Sequence, residues 1–253
     1  MASHDTDHLR NLMATCTSFL RVNRFDTSEM PNYENMDNKK FVRDVERKMT
    51  DPGKYGLDEL YSFMDDVNIE ITFRSALSNV YTSLDNPEHH MLVLFYPDDT
   101  HRSVTFVKES VKKFLNLMLR LNCQDGVLLS EKQLAPGAKK EFKRCNMEST
   151  LSTDIFNVIF YEDGEFFNIV DHISTPKVLR IYRTQEEIDQ FVKENDVKLD
   201  LSNLSGIECT DTLVKFYRGK IGNIFEFERV VVPNNLMQDT EIVVRIVTPP
   251  NEN

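Results

Sequence analysis

The sequence predicts an α/β unit followed by an α+β unit. Two observations carry this. Residues 91–140 run strand, helix, strand, helix, the order that packs helices on a short sheet. Beyond residue 150, apolar strand-like runs outnumber helical ones, with only two short helical stretches among them. The 253 residues suffice for one or two domains, and 40% apolar with 28% charged residues is the balance of a packed core.

The elements follow in order. Leu9, Leu12, Met13, Cys16, Phe19 and Leu20 recur at three- and four-residue spacing, so residues 6–20 are predicted helical. Ser28–Tyr33 reads as a loop. Phe41, Val42 and Val45 line one face of a helix from Lys39 to Met49, which Asp51-Pro52-Gly53 stops. Leu57–Phe63 is a further short helix. Ile69, Ile71 and Phe73 alternate with polar residues, the pattern of a half-buried strand. Met91–Tyr96 is a continuous apolar run ended by Pro97-Asp98-Asp99, hence a buried strand and a turn. Ser103–Arg120 is amphipathic, with Phe106, Val107, Val111, Phe114, Leu115 and Met118 inward. Val127–Leu129 is a second buried strand, and Pro136 opens the next helix.

A polar stretch, Asn146–Thr153, marks a boundary, giving units 1–150 and 151–253. Phe156–Tyr161 and Phe166–Val170 flank Glu162-Asp163-Gly164-Glu165, which predicts a hairpin. Thr184 with Glu187 three residues on is a capping box. Thr210-Asp211 precedes a helical turn over Thr212–Phe216. Ile224–Val232 and Glu241–Val247 are the last strands.

Thirty Lys and Arg against 41 Asp and Glu give a net charge of −11. That excludes coating nucleic acid by global charge, which needs a basic face. The charge is uneven: residues 1–150 carry 20 basic and 23 acidic residues, residues 151–253 carry 10 and 18. No run of ~18 apolar residues occurs, so no membrane span is expected. The polar start, Met1–Asp7, predicts no secretory signal. Cys16, Cys123, Cys145 and Cys209 form no CxxC pair and are expected to be free thiols.

No GxSxG, HExxH, GxGxxG or GxxxxGK[ST] occurs, and Gly219-Lys220-Ile221-Gly222 lacks phosphate-loop spacing. His89, His90 and His101, with Asp98 and Asp99 between, form the densest group of metal-ligand types. They lack the helical i, i+4 spacing that sets two imidazoles on one ion, so they read as polar loops beside a strand. Asp65-Asp66 and Glu186-Glu187 are sequence neighbours, which diverge on a helix. No catalytic residue, metal or cofactor is expected.

Asn168-Ile169-Val170-Asp171-His172, with Pro176 four residues on, resembles the start of the C-terminal domain of the fifth common subunit of eukaryotic nuclear RNA polymerases, a family with an archaeal counterpart. Thr184–Lys193 is similar to that family's Glu- and Lys-rich helix. Asp211–Gly222 looks like its Asp-Pro-x-x-Arg-aromatic-aromatic segment and basic turn, and Val244-Arg245-Ile246-Val247 like its end. In the first half, Met91–Phe95 with Pro97-Asp98-Asp99, and Val127–Leu129 with Leu134–Lys139, are similar to its two strands and its Thr-Pro-Ser-Ala-Lys motif. The likeness spans about residues 91–142 and 165–247. It departs at Thr212, where the family has Pro, at Lys215 for Arg, at Ile221 for a basic residue and at Val178 for a second His. Lys in place of Arg loses the planar fork. Such drift is expected of a divergent lineage or of a paralogue serving one polymerase, such as polymerase I.

The resemblance implies a non-catalytic structural subunit in the nucleus, or the nucleolus if specific to polymerase I. An N-terminal jaw domain, a short sheet flanked by helices, would lie beside downstream duplex DNA. A C-terminal assembly domain, a small mixed sheet, would anchor on the largest subunit. Ala135, Pro136, Gly137, Ala138, Lys139 and Lys140 would then contact DNA from a helix N-terminus, which suits phosphate. His172, Pro176, Lys215, Phe216, Lys220, Gly222 and Arg245 would face the largest subunit. Two alternatives are a metal-dependent nuclease-like enzyme using Asp98 and Asp99, and a free adaptor protein.

Overall fold

The computed structural model describes residues 3–97, 105–148, 157–166, 176–194, 201–231 and 239–250. The chain divides into two compact units, Met1–Phe167 and Asn168–Asn253. Both combine helices with a small mixed sheet.

Unit one opens with α1 (Ser3–Val22), whose Leu9, Leu12, Met13, Cys16, Phe19 and Leu20 are all buried, the stripe its periodicity predicts. α2 (Asn38–Thr50) is capped by the Asp37 carboxylate, which accepts from the Lys40 amide at 3.0 Å. α3 (Asp58–Asp66) buries Leu60, Tyr61 and Met64. The sheet follows: β1 (Asn79–Thr82), β2 (His90–Phe95), a two-residue β3 (Thr105–Phe106), then α4 (Lys108–Arg120), β4 (Asp125–Ser130), β5 (Gln133–Leu134), α5 (Pro136–Glu148), β6 (Asn157–Glu162) and the short α6 (Asp163–Phe166).

Its main sheet has the order β1-β2-β4-β6. β1 is antiparallel to β2, while β2, β4 and β6 are mutually parallel, with Leu94 opposite Leu128 and Leu128 opposite Phe160. Met91–Phe95 and all of β4 are buried, so both faces are covered and the apolar runs are unbroken. β3 and β5 form a separate parallel pair. α4 buries Val111, Phe114, Leu117 and Met118. Gly126 of β4 permits this approach: a Cβ there would lie 2.7 Å from Phe114 Cζ, and nearer still to Met118 Sδ.

Four expectations are corrected here. Residues 69–73 form no strand: Ser75 Oγ donates to the Glu70 carbonyl at 2.7 Å and accepts from the Thr72 amide at 2.7 Å, folding the segment into a turn. Val107 precedes α4 and is exposed. The 156–170 hairpin is replaced by β6, which joins β4 in parallel, and by α6. The second half of that hairpin, residues 167–170, lies outside the described residues. Because β6 belongs to the first sheet, the division falls at 167/168 and not at the polar stretch that predicts 150/151.

Unit two contains β7 (Lys177–Tyr182), α7 (Gln185–Glu194), β8 (Ser205–Glu208), α8 (Thr212–Phe216), β9 (Ile224–Val231) and β10 (Asp239–Thr248). The strand order is β7-β9-β10-β8, antiparallel except for the β10–β8 pair. Alternation along β9 and β10 feeds two cores. Tyr182, Ile224, Val244 and Ile246 pack with Ile188 and Phe191 of α7. Phe225, Phe227 and Val247 pack with Leu213 and Val214 of α8.

Candidate functional site

The N-terminus of α5 is built from β5 outward. Gln133 and Leu134 pair with Thr105 and Phe106, which fixes where the chain turns at Ala135. Pro136 is the first helical residue, where its missing N–H leaves nothing unsatisfied. The Lys139 amide donates to the Ala135 carbonyl at 3.0 Å. Pro136, Gly137, Lys139 and Lys140 are exposed, and Ala135 is half-buried. Ala138 is fully buried, so it packs the helix down and offers no surface for DNA.

Glu141 anchors this helix start. Its buried carboxylate accepts from Arg144 at 2.6 Å and meets Lys108 Nζ, on the first residue of α4, at 3.2 Å. Those partners, Arg144 first, hold its pKa below the ordinary 4.5 against the opposing effect of desolvation. Phe142 packs on Phe160 of β6 with ring centroids 5.9 Å apart.

In unit two the expected partner-facing residues separate. His172 lies outside the described residues. Pro176 is half-buried just before β7, and Lys215 is half-buried on α8. Phe216 is fully buried, edge-on to Tyr217 at 5.5 Å, so it is core rather than interface. Lys220 and Gly222 form a turn: the Lys220 amide donates to Asn223 Oδ1 at 2.8 Å and the Gly222 amide to the Val247 carbonyl at 2.9 Å. Gly222 has φ +90°, a conformation glycine takes without penalty. Ile221 between them is 61% exposed. Arg245 is half-buried in β10, opposite Phe225 on one side and Ser205 on the other.

Sequence reasoning missed Arg183. Its guanidinium donates to the Tyr217 carbonyl at 2.7 Å and the Arg218 carbonyl at 3.4 Å, closing the C-terminal end of α8. Burial, then the neighbouring Arg218 charge, lowers its pKa. Arg183 and Arg218 thus share one end of the unit with the Lys220 turn. A basic residue directly before the Thr184 cap was the available signal.

Two ionic groups in unit one were also missed. Arg74, 3% exposed, forks onto Asp163 at 2.6 and 2.7 Å and donates through Nε to the Tyr96 carbonyl at 2.8 Å; His8 joins Asp163 at 3.2 Å. His89 meets buried Asp125 at 2.5 Å, while His90 turns to Thr82 at 3.2 Å. The two adjacent histidines therefore serve different partners. Among the described residues no group of three His, Cys, Asp or Glu is arranged to hold a metal ion. Asp98, Asp99 and His101 lie outside them. Cys16, Cys123 and Cys209 are free thiols, and no described helix is long and apolar enough to cross a membrane.

No protein-family model matches the chain, and a search of curated proteins finds no match.

Proposed function

We propose that the chain is a non-catalytic structural subunit of a nuclear DNA-directed RNA polymerase. In this reading unit one forms part of the lower jaw beside downstream DNA, and unit two anchors on the largest subunit. The observation that carries the proposal is the helix start at Pro136–Gly137. It is followed by outward Lys139 and Lys140 and held in place by the Lys108–Glu141–Arg144 ion group. Backbone N–H groups at a helix N-terminus with two lysines behind them suit one phosphate contact, even on an acidic chain. The resemblance in motif order adds the jaw and anchor roles. On the second unit, the exposure of Lys220 and Ile221 supports a partner contact at that turn.

The test is to tag the chain, recover it from nuclei and identify by mass spectrometry what accompanies it. The expected result is a set of polymerase subunits, with the largest one naming the polymerase and, through it, nuclear or nucleolar residence. Recovery of the chain without polymerase subunits would end this reading.

A further inference from the structure

Unit one contains a cleft of about 320 Å³ between the loop at 26–33, the end of α2 and strand β1. It is separate from the helix start discussed above, since no residue of α4, β5 or α5 lines it. Its lining includes Asp26, Glu29, Tyr33, Lys48, Tyr55 and Tyr81. This volume lies at the low end of small-molecule pockets, which run from roughly 300 Å³ upward.

Lys48 stands out on the helix that carries it. Phe41, Asp44, Val45 and Lys48 lie at i, i+3, i+4 and i+7 of α2, so they share one stripe. Phe41 and Val45 are core. The stripe already carries one half-buried charge, Asp44, and ends in half-buried Lys48, which lines the cleft. Lys48 makes no hydrogen bond or ion pair among the described residues. Burial lowers its pKa, and Asp44 one turn back only partly offsets this. The hydroxyls of Tyr33 and Tyr55 likewise take no hydrogen-bond partner among the described residues. Burial raises the pKa of Tyr33 and Tyr81, so both stay protonated and able to donate. Lys48 and the hydroxyls of Tyr33 and Tyr55, none with a hydrogen-bond partner among the described residues, thus line one cleft with two carboxylates, Asp26 and Glu29.

We propose that this cleft binds a small aromatic amino acid or a close zwitterionic analogue, with its carboxylate on Lys48 and the tyrosine hydroxyls, its ammonium toward Asp26 and Glu29, and its ring among the tyrosines. A single ammonium matches a single carboxylate. The two acids oppose a multiply charged phosphate and supply the counter-charge a zwitterion needs. Tyrosine faces favour a planar apolar body.

Three probes with one ring test this: L-phenylalanine, phenylacetate without the ammonium, and phenethylamine without the carboxylate. Each is titrated onto the full chain by isothermal calorimetry and ligand-observed NMR. L-phenylalanine is expected to bind saturably, and each singly charged probe roughly tenfold or more weakly, the scale of one lost charge-assisted contact. Lys48→Met keeps the stem and removes the charge. It should weaken L-phenylalanine by about tenfold or more while leaving phenethylamine unchanged. Lys48→Arg, which retains the charge, should recover part of the affinity and guards against a folding artefact. The proposal is overturned if L-phenylalanine shows no saturable binding, if phenylacetate binds as well, or if Lys48→Met binds L-phenylalanine like the wild type.

Discussion

Arg74 is the centre of one buried ionic group of unit one. Its guanidinium satisfies both Asp163 oxygens and the Tyr96 carbonyl, lies 5.9 Å from the Phe95 ring centre, and comes within 3.6 Å of a Glu131 oxygen. Removing one side of a buried pair leaves the other charge desolvated and without its main partner, here with only His8, among the described residues, still beside Asp163, so Arg74→Met should cost about 3–5 kcal/mol. Asp163→Asn should cost a similar amount, and the double variant well under their sum, because the second change removes a charge the first has stranded. Urea unfolding of the four proteins measures all three differences, and strict additivity would refute the coupling. None of this was legible in the sequence. Asp163 sits in Glu162-Asp163-Gly164-Glu165, whose composition is turn-like, and its partner lies 89 positions away. Long-range ion pairing has no local signature. His89 was hidden for the same reason: the sequence reads it with His90 as a polar loop, while the strand edge sends the two rings to Asp125 and Thr82.

At the scale of elements, the helices with strong periodicity and caps were legible, and strand pairing was not. Thr184 and Glu187 do form the reciprocal box: Thr184 N–H donates to Glu187 at 3.1 Å and Glu187 N–H to Thr184 Oγ1 at 3.3 Å. Asp211 caps α8 by accepting from Leu213 at 2.8 Å. Thr184→Ala should therefore destabilise unit two by about 1 kcal/mol, read from its thermal or urea transition. Residues 69–73 misled because alternation alone does not say whether a sheet edge is open, and β1 takes the place beside β2. Gly126 is a second element-scale test. Gly126→Ala would press a methyl into Phe114 and Met118, and the lost α4–β4 packing should cost about 1–3 kcal/mol despite alanine's lower chain entropy. Glu141 adds a pH dependence to the α4–α5 contact. Its pKa is depressed in the folded chain, so its contribution is present above the ordinary 4.5 and disappears as pH falls through the folded value. The stability difference between wild type and Glu141→Gln should accordingly be largest near neutrality and vanish in acid. A difference that persisted at low pH would exclude this ionic origin.

At the scale of the whole molecule, the 167/168 division changes what the charge means. Divided there, unit one carries 20 basic and 27 acidic residues and unit two 10 and 14, a net −7 and −4. A division at 150/151 makes these −3 and −8, and so a nearly neutral jaw. The shift arises from Asp154, Glu162, Asp163 and Glu165, which composition assigns to the second half and which fall in the first once β6 joins its sheet. The unit proposed to lie beside DNA therefore carries the larger net negative charge, and its approach to a duplex must be local and assisted. The isolated chain should accordingly fail to retain duplex DNA in a mobility shift near physiological salt, because a unit of net −7 cannot supply the counterion release that drives such binding. Within an assembled polymerase the prediction differs. Replacing Lys139 and Lys140 by alanine should weaken the grip on downstream DNA and flatten the dependence of log affinity on log salt by about one for each lysine that meets a phosphate. An unchanged slope would mean that neither lysine touches DNA, and tight binding by the free chain would mean that the acidic surface is not what governs access to this helix start.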